Sequence, residues 1–194
     1  MFCQRIQLEH CNLDYYRHFL EDSLADDLFE IFLETLDWQQ ENIMIFGKQI
    51  PSPRLQCFYG EPNVSYRYSG RTFHAKKWGK ELSWLNAKVS QFCNIPFNGV
   101  LCNLYRDGCD AMGWHSDNEK ELGENPIITS VSFGQPRMFA VRKNTETKQM
   151  FSLPLAHNSA LVMNEGCQSH LQHSIPKSKK PLKARINLTF RHFQ

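Results

Sequence analysis

One place in this chain sets two good metal ligands two residues apart: His115 and Asp117, in Trp114-His115-Ser116-Asp117. On an extended strand that spacing projects both side chains from one face. An imidazole and a carboxylate held so are two thirds of the 2-His-1-carboxylate triad that binds non-heme Fe(II) and keeps coordination positions open. The pair alone is a weak signal. At roughly 2% His and about 5% Asp, a chain of this length shows one by chance about one time in five. The third ligand must come from elsewhere. His170 and His173 differ by an odd number, so a regular strand turns only one of them inward. His173 stands between the His115/Asp117 pair and an arginine-bearing strand, which favours it.

That last strand has two unlike faces. Arg185, Asn187, Thr189 and Arg191 point one way, and Ile186, Leu188 and Phe190 point the other. Its polar face either lies in water or lines the interior of a closed barrel, where two arginines would need anions. A dicarboxylate held end to end by two guanidinium groups would satisfy them through charge-assisted, bidentate contacts. Asn103 and Tyr105 alternate with Cys102 and Leu104 in the same fashion.

These residues need elements to position them. A chain of 194 residues with 41% hydrophobic content fits one domain with a sizeable core. No apolar run approaches the roughly 20 residues of a membrane span. The first residues lack a secretory stretch, so an intracellular protein is expected, in cytoplasm if bacterial and nucleus if eukaryotic. Seven scattered cysteines without Cys-x-x-Cys suggest neither a disulfide framework nor a zinc ribbon. Residues 1–50 hold three Lys/Arg against ten Asp/Glu, and the remainder 19 against 10, a basic body that permits a nucleic-acid partner.

In order, Leu13 to Leu20 can begin as a strand, and Ser23 with Asp26 resembles a capping box opening a helix through Thr35. Ile43 to Arg54, broken by Gly47 and two prolines, suits a hairpin or exposed finger. A second helix is expected from Trp78 to Cys93. Strands follow over Gly99–Tyr105, Ile127–Phe133, Met138–Arg142, Met150–Leu155, Ala160–Met163 and Arg185–Phe193. Helices first and many short strands afterwards argue for a sandwich or barrel buttressed on one side.

Asn103-x-Tyr105-x-Asp107-Gly108, His115-x-Asp117, Ser130-x-Ser132-Phe133-Gly134, His173-Ser174-x-Pro176 and Arg185-x-Asn187-x-Thr189-Phe190-Arg191 together resemble, in order, the motifs of the AlkB family of Fe(II)- and 2-oxoglutarate-dependent nucleic-acid dealkylases. Phe46-Gly47-Lys48, Pro53-Arg54-x-Gln56 and Tyr66-x-Tyr68-Ser69-Gly70 extend the resemblance, toward the branch that repairs double-stranded DNA. It implies an α+β fold: a double-stranded β-helix, or jelly roll, buttressed by N-terminal helices, with a finger hairpin in a substrate-binding lid. The expected organisation is a single domain over 1–194, with helices and lid in 1–95 and the catalytic core in 96–194.

The resemblance further implies Fe(II) ligation by His115, Asp117 and His173. It places 2-oxoglutarate against Asn103, Tyr105, Arg185, Asn187, Thr189 and Arg191, with O2 as the second cosubstrate. The implied reaction is oxidative demethylation of 1-methyladenine- or 3-methylcytosine-type bases in double- and single-stranded DNA, releasing succinate, CO2 and formaldehyde. RNA is the alternative substrate, and a protein or small molecule a more distant one. The base would be flipped out of the duplex, between Tyr68 and the His115 ring, with Tyr66 at its polar edge. Phe46, beside Gly47, would fill the vacated stack. Lys48, Arg54 and Arg67, with Lys177, Lys179, Lys180 and Lys183 in the basic loop, would meet substrate or phosphates. Asn118 and Glu119 stand where many relatives carry two acids, so the charge facing a cationic base is altered. A monomer without a membrane partner is expected.

Overall fold

A computed structural model describes residues 2–45, 47–68 and 71–194, and omits the side chains at 43–45, 66–68 and 71. Two sheets face each other. Strands β1 (Cys3–Gln7) and β2 (Asn12–Arg17) precede helix α1 (Asp22–Thr35) and the hairpin β3 (Asn42–Ile45) and β4 (Lys48–Pro51). Next come β5 (Leu55–Gly60), the hairpin β6 (Ser65–Tyr68) and β7 (Arg71–His74), β8 (Lys76–Lys77) and helix α2 (Lys80–Cys93). Strands β9 (Gly99–Tyr105), β10 (Met112–His115), β11 (Ile128–Gly134), β12 (Arg137–Lys143), β13 (Phe151–Leu155) and β14 (Ser159–Met163) follow. A single helical turn, α3 (Cys167–His170), leads into β15 (Leu171–Ile175) and β16 (Arg185–Arg191).

The large sheet runs β1-β2-β14-β11-β16-β9-β5-β8 and the small one β10-β15-β12-β13. All pairings are antiparallel except β5 with β8. This is the expected jelly roll with two helices against one side. Strand β16 sits mid-sheet, pairing Asn187 with Asn103 of β9 and with Ser132 of β11. Every residue of it is buried, so its two unlike faces both meet protein.

Its apolar face explains the helices. Ile186, Leu188 and Phe190 join Val100, Cys102 and Val131 in a core closed by Ala25, Leu28 and Phe32 of α1 and Leu82, Leu85 and Val89 of α2. Those helical residues recur at three- and four-residue spacings, the stripe that faces a sheet. The other face looks between the sheets, where a second core of Leu13, Phe139, Val141, Leu155 and Leu161 closes off the far end.

Several expectations are corrected. Helix α1 begins at Asp22 without a side-chain cap, so Ser23 lies inside its first turn. Asn158 anchors that end instead, donating to Asp22 Oδ1 and the Leu20 carbonyl at 2.7 Å each. Residues 1–95 are not only helices and lid, since β1, β2, β5 and β8 complete the large sheet. The strand carrying His115 ends there, leaving Asp117 in the following loop. His170 lies in α3 rather than on a strand, its ring 4.5 Å from that of His10. Strands β1 and β7, polar or short, carried no readable alternation. Among the described residues no helix is long and apolar enough to cross a membrane.

Leu188 is completely buried against both helices. Leu188→Ala is expected to destabilise the protein by about 2–5 kcal/mol. Urea unfolding should show a lower midpoint with an unchanged slope.

Candidate metal and dicarboxylate site

His115 closes β10 and pairs directly with His173 of β15. Side chains of directly paired residues share a face, and the two rings lie 4.3 Å apart. Asp117 completes the cluster: one ligand atom from each of the three residues falls within 4.8 Å of the others. The His115 Nδ1 stands 2.9 Å from the Gly113 carbonyl. A carbonyl can only accept, so Nδ1 carries the proton and Nε2 presents its lone pair. That Nε2 is 3.6 Å from Asp117 Oδ1. His173 lies in the same plane sense as Phe139, stacked at 5.1 Å between ring centres.

The electrostatics suit a cation. Burial pushes the His173 imidazole down to about 3 and also lowers His115, so both are neutral ligands at physiological pH. Burial would raise Asp117, but the Arg191 guanidinium beside it overrides that and holds the carboxyl below the usual range. An anionic acid with two neutral imidazoles, on a site whose His115 side chain stays 22% exposed, is a donor set for a divalent ion with open positions.

The large sheet supplies the opposite wall. Arg185, only 1% exposed, donates to Ser132 Oγ at 2.9 Å and lies 5.1 Å from the centre of the Tyr105 ring. Its Nε and Nη1 have no protein partner. Burial lowers its pKa to about 10, which leaves it cationic at neutral pH. A buried cation with two open donors in a fixed fork fits a carboxylate. Arg191, 3% exposed, reaches Asp117 Oδ1 at 2.9 Å and approaches Glu119 at 3.8 Å. Asn187 donates to Ser130 Oγ at 2.7 Å and accepts from Thr189 at 3.2 Å. Asn103, Tyr105, Arg185, Asn187, Thr189 and Arg191 thus line one cavity together with the His-Asp-His cluster.

The 2OG-Fe(II) oxygenase superfamily matches residues 12–191. The human protein named DNA oxidative demethylase ALKBH2 is 39% identical over 177 residues, covering 86% of this chain and 68% of that relative. The chain belongs to the AlkB family of 2OG-Fe(II) oxygenases. The bovine alpha-ketoglutarate-dependent dioxygenase alkB homolog 3 is 36% identical over 182 residues, covering 89% and 63%. In fold, the solved structure of OsALKBH1 is similar with a TM-score of 0.66 at 13% identity, covering 97% of this chain and all of that one. Such an enzyme uses ferrous iron as its metal with 2-oxoglutarate and O2 as cosubstrates, and the donor set and the open guanidinium found here fit the metal and the dicarboxylate.

For this AlkB-family enzyme the structure also separates residues that the sequence grouped together. Arg54 is not a surface phosphate contact: it is 3% exposed, donates to Asn103 Oδ1 at 2.7 Å and lines the cavity. Asn118 is exposed and faces a polar groove with Ser116 and Gln168, whereas Glu119 lines the cavity. Burial raises the Glu119 carboxyl. Gly47 takes φ +75° between Ile45 and Lys48, as a tight hairpin turn requires. Phe46 and the side chains of Tyr66, Arg67 and Tyr68 lie outside the described residues. Lys48, Lys177, Lys179, Lys180 and Lys183 are exposed.

Three residues were given no role from the sequence, two of them although they stood in a quoted motif. Ser130 and Ser132 alternate on β11 toward the cavity and hold Asn187 and Arg185; their Ser-x-Ser spacing was the available signal. Arg137, buried, donates to the carbonyls of Asp107, Asp110 and Pro176, tying the loop after β9 to the basic loop. Nothing in its spacing marks it.

Replacing His115 or Asp117 by alanine is expected to abolish Co(II) or Fe(II) uptake while circular dichroism stays that of the wild type. Uptake by either variant with wild-type affinity in equilibrium dialysis would defeat the metal assignment.

Proposed function

We propose that this enzyme removes methyl groups oxidatively from N-alkylated bases of the 1-methyladenine and 3-methylcytosine type in DNA, duplex DNA included. The observation that carries the reading is one cavity with a His-Asp-His cluster on one wall and, on the other, a buried arginine with open donors. The substrate class rests on the relatives named DNA oxidative demethylase.

In this reading His115, Asp117 and His173 hold the iron. With O2 and 2-oxoglutarate, the bound iron supplies the oxidation that inserts oxygen into a methyl C–H bond. Arg185 and the Tyr105 hydroxyl take the distal carboxylate, Arg191 and Asn187 attend the keto acid end, and Asn103 and Thr189 add polar contacts. Asn103 is held for that by Arg54, and Asn187 by Ser130. Hydroxylation at a methyl group on nitrogen gives a hemiaminal, which breaks its C–N bond to release formaldehyde and the repaired base. A ring nitrogen cannot be reached inside a stack, so the base is flipped toward His115 and the β6–β7 hairpin.

Support for duplex substrates comes from the sequence Phe46-Gly47-Lys48 of the β3–β4 hairpin, in which Lys48 is exposed, and from the exposed lysines of the β15–β16 loop. An apolar wedge beside cations suits a strand gap flanked by phosphates.

Anaerobically loaded protein should demethylate oligonucleotides bearing 1-methyladenine or 3-methylcytosine on admission of air, seen by mass spectrometry with matching succinate. Hydroxylation of peptide with none of oligonucleotide would overturn the substrate class. Phe46→Ala should lower turnover of duplex by about tenfold or more, an energy comparable to the few kcal/mol of an unstacked step, and spare single strands. Arg185→Met is expected to raise the 2-oxoglutarate requirement about 10-fold or more, since a buried charge-assisted pair is lost. Co(II) affinity should be unchanged.

A further inference from the structure

Asp117 lies two residues beyond the end of β10, so no strand partner fixes its backbone. Two side chains outside the cavity do so. Gln168 Oε1 accepts the Asp117 backbone N–H at 2.9 Å, both groups being buried. The intervening Ser116 hydroxyl donates to the Leu171 carbonyl at 2.7 Å. Both ties end on one short stretch: Gln168 belongs to α3, Leu171 opens β15, and His173 follows two residues later. That stretch is itself anchored. Gly166 precedes α3 at φ +82°, where a Cβ would meet the His10 carbonyl at 2.5 Å. The Cys167 thiol reaches the Asn12 carbonyl at 3.3 Å, and Gln168 Nε2 rests on Met163 Sδ at 3.5 Å.

We infer that Gln168 is a positioning residue whose side-chain oxygen aims the Asp117 carboxylate at the point shared by His115 and His173, and so sets how tightly a divalent cation is held. The inference rests on the reading of those three residues as the metal site. Gln168 does not line the cavity, so it touches neither cation nor cosubstrate. Without its oxygen the buried Asp117 N–H would lack an acceptor and bear its full desolvation penalty. The loop would then turn that N–H toward water and carry the carboxylate off axis. Partners one step behind a ligand are worth a large factor in metal affinity for this reason. Ser116 makes the second tie, fixing the same loop to the base of the strand that bears His173.

The test titrates metal-free protein with Co(II), following its visible absorption, and records melting of the apoprotein. Gln168→Leu removes the acceptor, and the Co(II) dissociation constant should rise about 10-fold or more with an altered spectrum. Gln168→Glu keeps an oxygen there and should bind within about threefold of the wild type, a loss below the range seen when such a partner is removed. Wild-type affinity and spectrum in Gln168→Leu would overturn the inference. So would an equal loss in a folded Gln168→Glu, which would assign the effect to packing. If Gln168→Leu does not fold, Ser116→Ala decides: Co(II) binding weakened about fivefold or more supports the two-tie arrangement, and unchanged binding overturns it. Failure of the wild type to take up Co(II) would instead defeat the metal reading itself.

Discussion

Two guanidinium groups buried on one face of a central strand set the terms for the rest of this fold. Taking charge out of water is expensive, and an apolar replacement of matched shape is often neutral or stabilising. A strand selected for stability alone would therefore not carry Arg185 and Arg191 in its middle. Their cost is partly offset. Arg191 pairs with Asp117, and Arg185 has the Ser132 hydroxyl and the face of Tyr105. Arg185 nevertheless keeps two donors open at 1% exposure. Such a residue is completed by an anion, and it lines the cavity that the metal-ligand cluster also lines.

The apolar half of the same strand makes this arrangement tolerable. Ile186, Leu188 and Phe190 alternate with the polar residues and are clamped by both helices. Inward, the polar wall needs a facing wall about 10 Å away, the usual spacing of stacked sheets. The small sheet provides it and carries both imidazoles. Anion-binding and cation-binding halves thus come from different sheets. The 2.9 Å contact of Arg191 with Asp117 joins them across the gap. Because the acid belongs to a loop rather than a strand, that joint is where the site is least constrained by ladder hydrogen bonds.

Much of this was legible in the sequence for a simple reason. Alternation is strict along β16 and the second half of β9, so their faces could be read directly; the bounds of β9 match residue for residue, while β16 ends at Arg191, two residues short of the expected Phe193. What alternation cannot say is which side is water. A strand polar on one face reads the same whether that face is solvated or encloses a cavity, and only the two helices and the second sheet resolve it. The same blindness explains Arg54, read as a surface cation and found bonded to Asn103 within the wall. Period two also overreached at His115 and Asp117. They converge because the chain leaves the strand between them, not because the strand continues. Gln168 holds that loop through one hydrogen bond to the Asp117 backbone, and Arg137 holds neighbouring loops through three to carbonyls, contacts that leave no periodic trace.

The place where this chain departs from many relatives acquires a different meaning in three dimensions. The resemblance leads one to expect an acid where this chain has Asn118 next to Asp117, which in sequence suggests a weakened attraction for a cationic base. Asn118 faces outward, however, into a groove shared with Ser116 and Gln168. A charge there would be screened by water rather than focused into the cavity. Glu119 is the acid that lines the cavity, and Arg191 approaches it only to 3.8 Å, too far for a hydrogen bond between them. In the proposed reading, the acid able to act on a cationic base in the cavity is therefore Glu119, not the residue at position 118.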